Sequence, residues 1–185
     1  MNKKVIITGI FASFTIAGIA QISEKQIKKD ISYLASDKLK GRGTSSAEEK
    51  MAATYIAKSF KSTGLIPKGN DSYFYNFTFK KNSNPHDTAT TNIPERKGIN
   101  VLGYLDNNAE NTIVIGAHYD HLGLGRDHNS LDANPENKIH SGADDNASGT
   151  AGVLELARYF TKNNIKENYN FLFICFSGEE LGLLG

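Results

Sequence analysis

Apolar side chains recur along this chain at two periods, and the change of period marks out its elements. Ile27, Ile31 and Leu34 fall at helical spacing behind Ser23, with Gln26 three residues on, which predicts a capping box and a first amphipathic helix. Gly41-Arg42-Gly43-Thr44 interrupts the pattern. Ser46 with Glu49 then opens a second predicted helix with the stripe Ala52, Ile56 and Phe60, and Gly64 with Pro67 supplies its stop. From Tyr73 the period becomes two. Tyr73, Tyr75, Phe77 and Phe79 alternate with Asn76, Thr78 and Lys80, as in a half-buried strand.

Residues 81–98 are polar and contain Pro85, Pro94 and Gly98, which predicts a loop too short to be a domain, with no inserted lid. Beyond it come apolar runs at Ile99 to Leu105 and Thr112 to Ala117, a helical stretch from about Ala147 to Phe160, and a third run at Phe171 to Phe176. Two of these strands are continuously apolar. A strand buried on both faces belongs in a sheet covered by helices, so the expected fold is α/β, a mixed, mostly parallel sheet with helices on both faces. Leu122 to Gly142 is Asn- and Asp-rich without periodicity, a functional rim or a mobile excursion.

The first twenty residues read differently from the rest. Lys3 and Lys4 precede a mostly apolar run from Val5 to Ala17, and Gly18-Ile19-Ala20 follows with small residues at alternate positions. The expectation is a signal peptide over residues 1–20 and an exported, periplasmic or extracellular chain over 21–185. A retained anchor is the alternative, but Thr8, Gly9, Ser13, Thr15 and Gly18 dilute the run.

Composition narrows the partners. The net charge is +1, and loss of Lys3 and Lys4 with the signal would make it −1, so neither nucleic acid nor an anionic membrane is an expected partner. The single Cys175 excludes an intramolecular disulfide and any cysteine-based zinc knuckle. Metal chemistry, if present, must use His, Asp and Glu.

Three clusters supply those residues. Gly116-Ala117-His118-Tyr119-Asp120-His121-Leu122-Gly123 follows one predicted strand, Gly142-Ala143-Asp144-Asp145-Asn146-Ala147-Ser148-Gly149 precedes a helix, and Ser177-Gly178-Glu179-Glu180-Leu181-Gly182 follows another strand. In open parallel sheets, ligands bind where strands end and helices begin. Carboxylates gathered in one crevice oppose each other's ionisation, a cost that divalent cations remove. Imidazole with carboxylate and no thiolate suits zinc, with cobalt or manganese as substitutes. A carboxylate shared by two ions about 3.5–4 Å apart would make a two-metal hydrolytic site.

These clusters, together with the Leu-Ala-Ser-Asp-Lys-Leu-Lys-Gly-Arg run ending at Arg42, resemble the M28 family of zinc peptidases, and the resemblance runs from about Ile27 to the end of the chain. It implies a secreted aminopeptidase with two zinc ions, acting on peptide or protein substrates. It further implies His118 as a ligand of one zinc, Asp120 as the carboxylate that orients His118, and Asp144 as the carboxylate bridging both metals, with a cis bond to the next residue. Glu180 would be the ligand of the other zinc and Glu179 the general base. A glutaminyl cyclase or carboxypeptidase relative, or a non-catalytic extracellular binding module, are the alternatives. His121 and His140 could touch substrate, and Arg42 reads either as a buried charge or as a turn. The resemblance leaves each zinc one ligand short, so the chain is expected to be the N-terminal part of a longer enzyme, inactive alone.

Overall fold

A computed structural model describes residues 21–80 and 93–185. The expected signal at 1–20 and most of the expected loop at 81–98 lie outside the described residues. Helix α1 spans Glu24–Leu34 and helix α2 Ala47–Thr63. Both start where the sequence places them, but each capping box closes on one side only. The Ser23 and Ser46 side chains accept from the Gln26 and Glu49 amides at 3.3 and 2.9 Å. The reciprocal arms go elsewhere, because Glu155 Oε1 takes the Ser23 amide and Glu49 Oε2 takes the amide of Ser45, each at 2.6 Å. Gly64 ends α2 in the left-handed conformation, which a residue without a Cβ adopts at little cost.

The strands are β1 (Ile66–Pro67), β2 (Phe74–Lys80), β3 (Glu95–Leu105), β4 (Thr112–His118) and β5 (Asn170–Phe176), with helix α3 at Gly149–Lys162 before β5. They form one mixed sheet in the order β1-β3-β5-β4, with β2 also on β3. Strand β3 begins at Glu95 rather than at Ile99, because Phe77 to Lys80 of β2 pair with its first residues, from Gly98 back to Glu95. The pairings of β3 with β1, β2 and β5 are antiparallel, and the parallel part among the described residues is β4 on β5. The parallel share is therefore smaller than expected. Hydrophobic runs report that a strand is buried but carry no information on its direction.

The described helices lie over one face. Helices α2 and α3 pack on each other and on the sheet, and α1 packs on α3. Their contact with the sheet encloses Leu34, Ile56, Phe60, Val101, Leu154 and Phe173 in one buried cluster. On the opposite face Leu172 and Ile174 are half-buried and Val114 is 58% exposed. A buried polar group ties the helices together. Arg158 of α3 donates to Asp30 of α1 at 2.7 Å, to Glu155 at 2.9 Å and to Ser59 of α2 at 3.0 Å.

Candidate metal centre

The register of the parallel pair sets the site. Because His118 lies opposite Phe176, the residues that leave β4 and those that leave β5 emerge at the same end of the sheet. Helix α3 starts beside them, and Thr150 fixes it there by donating to the His118 carbonyl at 2.9 Å. All three sequence clusters therefore converge.

His118 Nε2 lies 3.0 Å from Asp145 Oδ1 and 3.7 Å from Glu179 Oε2. His118, Asp145 and Glu180 each offer a ligand atom, and these three atoms lie within 4.8 Å of one another. Two donors bound at about 2.0–2.2 Å to one tetrahedral ion stand roughly 3.3 Å apart, so an imidazole and a carboxylate at this spacing fit a shared zinc. The donor set suits zinc also by chemistry, since it has nitrogen and carboxylate oxygen but no thiolate.

One expected ligand moves by a position. Asp145, not Asp144, faces His118, and the cis peptide bond is Asp145–Asn146. Asp145 has extended backbone angles, φ −109° and ψ 98°, so its side chain and that of Asp144 project in different directions. The carbonyl of Asp144 accepts from Ser148 Oγ at 2.7 Å, and its carboxylate stays outside the cluster. An Asp-Asp pair in a turn has no period from which a sequence reader could choose between them.

Asp120 lies beside His118, but the group nearest the imidazole is its backbone carbonyl and not the carboxylate expected to orient the ring. Its carboxylate is buried, with Oδ2 accepting from Thr44 Oγ1 at 2.7 Å and Oδ1 from the Glu179 amide at 3.3 Å. The backbone carbonyl of Asp120 lies 3.2 Å from His118 Nδ1, closer than its carboxylate at 3.7 Å. We take the carbonyl as the hydrogen-bond partner and the carboxylate as a neighbouring charge. Burial works to lower the basicity of His118, but Asp120 and then Glu179 outweigh it and raise the pKa to about 9. A cation must displace that proton to bind.

Glu180 is held from two sides, by His121 Nδ1 at 2.6 Å from Oε1 and by Asn129 Nδ2 donating to its carbonyl at 2.9 Å. His121 thus contacts a candidate ligand rather than standing free for substrate. Asn129 comes from the Asn-rich stretch after Leu122, which makes that stretch a rim of the site. His140 is turned away, with Nε2 3.2 Å from the Pro135 carbonyl.

Beneath the centre sits Glu49, buried at the start of α2, in contact with Ser177 Oγ and accepting from Tyr119 Oη at 3.3 Å. Burial pushes its pKa up to about 7 against the opposing effect of these hydrogen bonds. Sequence reading saw Glu49 only as a capping residue. Its contact with Ser177 joins residues 128 positions apart, and no local pattern announces it.

The fold and the cluster define the class: an α/β chain with a candidate divalent-metal centre where parallel strands end. Residues 100–185 match the sequence model of Peptidase family M28. It is 32% identical over 148 residues to the alkaline phosphatase isozyme conversion protein of Escherichia coli, covering 78% of this chain and 39% of that one. A probable leucine aminopeptidase of Trichophyton verrucosum is 37% identical over 93 residues, 48% of this chain and 22% of its own length. Among solved structures, glutaminyl cyclase from Porphyromonas gingivalis aligns with a TM-score of 0.65 and 18% identity over 89% of this chain and 50% of that chain. A leucine aminopeptidase precursor from Bacteroides thetaiotaomicron aligns with a TM-score of 0.60 and 16% identity over 86% and 48%. The chain thus spans half or less of the length of each of these relatives. Among the described residues no helix is long and apolar enough to cross a membrane.

Proposed function

We propose that the polypeptide carrying this chain is an exported zinc aminopeptidase, cleaving N-terminal residues from peptides or proteins at a two-zinc site. The observation that supports this most directly is the meeting of His118, Asp145 and Glu180 with Glu179 beside them. In this reading His118, Asp145 and Glu180 would hold the zinc, with Asp145 in the role that the sequence reading gave to Asp144. Bound zinc supplies Lewis acidity to a substrate carbonyl and brings the pKa of water towards neutrality. The chain's own groups do the rest.

With Nδ1 turned to the Asp120 carbonyl, His118 presents Nε2 towards Asp145 and the centre. Glu179 is partly exposed, so its carboxylate reaches both the cluster and solvent. It accepts a proton from water as the water oxygen bonds to the carbonyl carbon of the substrate. When the C–N bond breaks, Glu179 returns that proton to the amine nitrogen. The amide of Glu179, bound to Asp120 Oδ1, keeps the base in register with His118.

The test is hydrolysis of leucine and alanine arylamides by the natural polypeptide that carries residues 21–185. Chelator should abolish turnover and zinc restore it. Glu179→Gln should still bind zinc while turnover falls at least about 100-fold. Hydrolysis that persists in excess chelator, or an unimpaired Glu179→Gln, overturns the reading. Cyclisation of an N-terminal glutaminyl peptide without arylamide hydrolysis would replace aminopeptidase by cyclase chemistry.

A further inference from the structure

Arg42 is fully buried, yet no carboxylate accepts a hydrogen bond from it. Its guanidinium donates only to main-chain carbonyls. Nε reaches Tyr119 at 2.7 Å, Nη1 reaches Ser141 at 2.8 Å as well as Leu34, and Nη2 reaches Gly142 at 2.9 Å. These carbonyls belong to three separate pieces of chain. Leu34 ends α1, Tyr119 lies between His118 and Asp120, and Ser141-Gly142 lead into the turn that carries Asp145.

The surrounding backbone is built for this approach. Gly41 has φ +76°, and a Cβ there would come within 2.3 Å of the His140 carbonyl oxygen and 2.6 Å of that of Gly123. The Arg42 carbonyl in turn accepts from the His121 amide at 3.2 Å, so the residue grips the His118–His121 segment from both its backbone and its side chain. A planar fork with five N–H donors in fixed directions can bind several carbonyls at once, and a lysine ammonium cannot reproduce that geometry. Burial lowers the pKa of Arg42 to about 10, with Asp120 the first of three nearby acids that oppose the shift, followed by Asp145 and Glu180. The cation thus stays charged at neutral pH, behind the acidic cluster.

We propose that Arg42 is a positioning residue that sets the separation between His118 and Asp145 by clamping the carbonyls of Tyr119, Ser141 and Gly142, so that the metal site is shaped before a metal arrives. The inference rests on the metal-centre reading above. It differs from a general structural role in a measurable way, because the half-buried Arg158 is a second arginine in a polar network, and its partners Asp30, Glu155 and Ser59 lie outside the cluster.

The experiment compares Arg42→Lys, Arg42→Gln and Arg158→Lys in the natural polypeptide, at a temperature where circular dichroism shows each to be folded. Zinc affinity is read by competition with a chromophoric chelator, and ligand geometry by the visible spectrum of the cobalt-loaded protein. Both Arg42 variants should lose about 10–100-fold in zinc affinity, the range typical of residues that orient ligands, and the cobalt bands should shift. Arg158→Lys should lower the melting temperature and leave zinc affinity within twofold.

Wild-type affinity in Arg42→Lys overturns the proposal, as does an equal loss in Arg158→Lys. Hydrogen exchange in the zinc-free wild type is an independent measurement should the Arg42 variants fail to fold. The amides of His121 and Ala147, which bond to the Arg42 and Gly142 carbonyls, should already be protected without metal. Protection that appears only after zinc is added overturns the proposal. If the wild type binds no zinc, the metal reading fails, and exchange at these amides alone decides whether Arg42 orders the two segments.

Discussion

Two interior-reaching arginines, the fully buried Arg42 and the half-buried Arg158, solve the same problem in opposite ways. Arg158 sits in the helical layer and answers two carboxylates, Asp30 and Glu155. Burial pulls its pKa down, but those partners more than compensate and leave it raised. Arg42 sits between the strand ends and the turn before α3, answers only carbonyls, and has its pKa lowered. A charge-for-charge pair neutralises and locks helices to one another. A charge-for-dipole contact leaves the cation's field unspent on any single acid, and it fixes backbone rather than side chains. The first arrangement holds the scaffold together and the second gives the crevice its shape.

The largest expected effect falls on the scaffold side of this contrast. Arg158→Ala leaves the buried Asp30 carboxylate without its cation and should cost about 3–5 kcal/mol in urea denaturation. Zinc affinity of the folded fraction should stay unchanged. A loss of zinc binding in proportion to stability would erase the distinction between the two regions.

Glu49 belongs with Arg42, as a buried titratable group beneath the centre, and its signature is in pH. Its folded-state pKa is raised from 4.5 to about 7, so the stability linked to its neutral form is fully present below about pH 4.5 and is lost as pH rises through about 7. At 1.36 kcal/mol per pKa unit the span is on the order of 3 kcal/mol. Melting of Glu49→Gln should therefore show a flatter pH dependence between pH 4.5 and 7.5 than that of the wild type. Parallel curves would mean that Glu49 does not titrate in this range.

A smaller and more local effect is expected at Gly142. It has φ +56°, and a Cβ there would meet the His121 ring at 2.5 Å. Gly142→Ala should cost roughly 1–2 kcal/mol from the left-handed backbone and displace His121 from Glu180. Zinc affinity should then fall by more than the stability loss suggests. An alanine variant with normal zinc binding would show that the His121–Glu180 contact is dispensable.

Helix starts and strand positions were legible because they repeat. Ser23, Ser46, the Ala52-Ile56-Phe60 stripe and the Phe77-Phe79 alternation each obey a period that one residue's error would disturb. His118, Asp120, Glu179 and Glu180 stand out as candidates because they closely follow such elements and match the motifs of a known family. Where the backbone leaves the period, the reading weakened. Asp144 and Asp145 differ by a single position in an irregular turn, and the backbone conformation at Asp145 selects between them. Arg42 and Glu49 act across long sequence separations, joining Tyr119, Gly142 and Ser177. The direction of β3 was likewise hidden, since an apolar run reads the same both ways.

The open face of the sheet bears on how the chain behaves in concentrated solution. Among the described residues β4 is the last strand of the sheet order, with one paired edge. Val114 on this strand stands well out of the protein, beside the half-buried Leu172 and Ile174. Unpaired backbone next to exposed branched side chains is a template for further strands. Residues 21–185 taken alone should therefore associate edge to edge as concentration rises, visible in light scattering. A lysine at Val114 should suppress that association, since a charge on the strand repels a second copy.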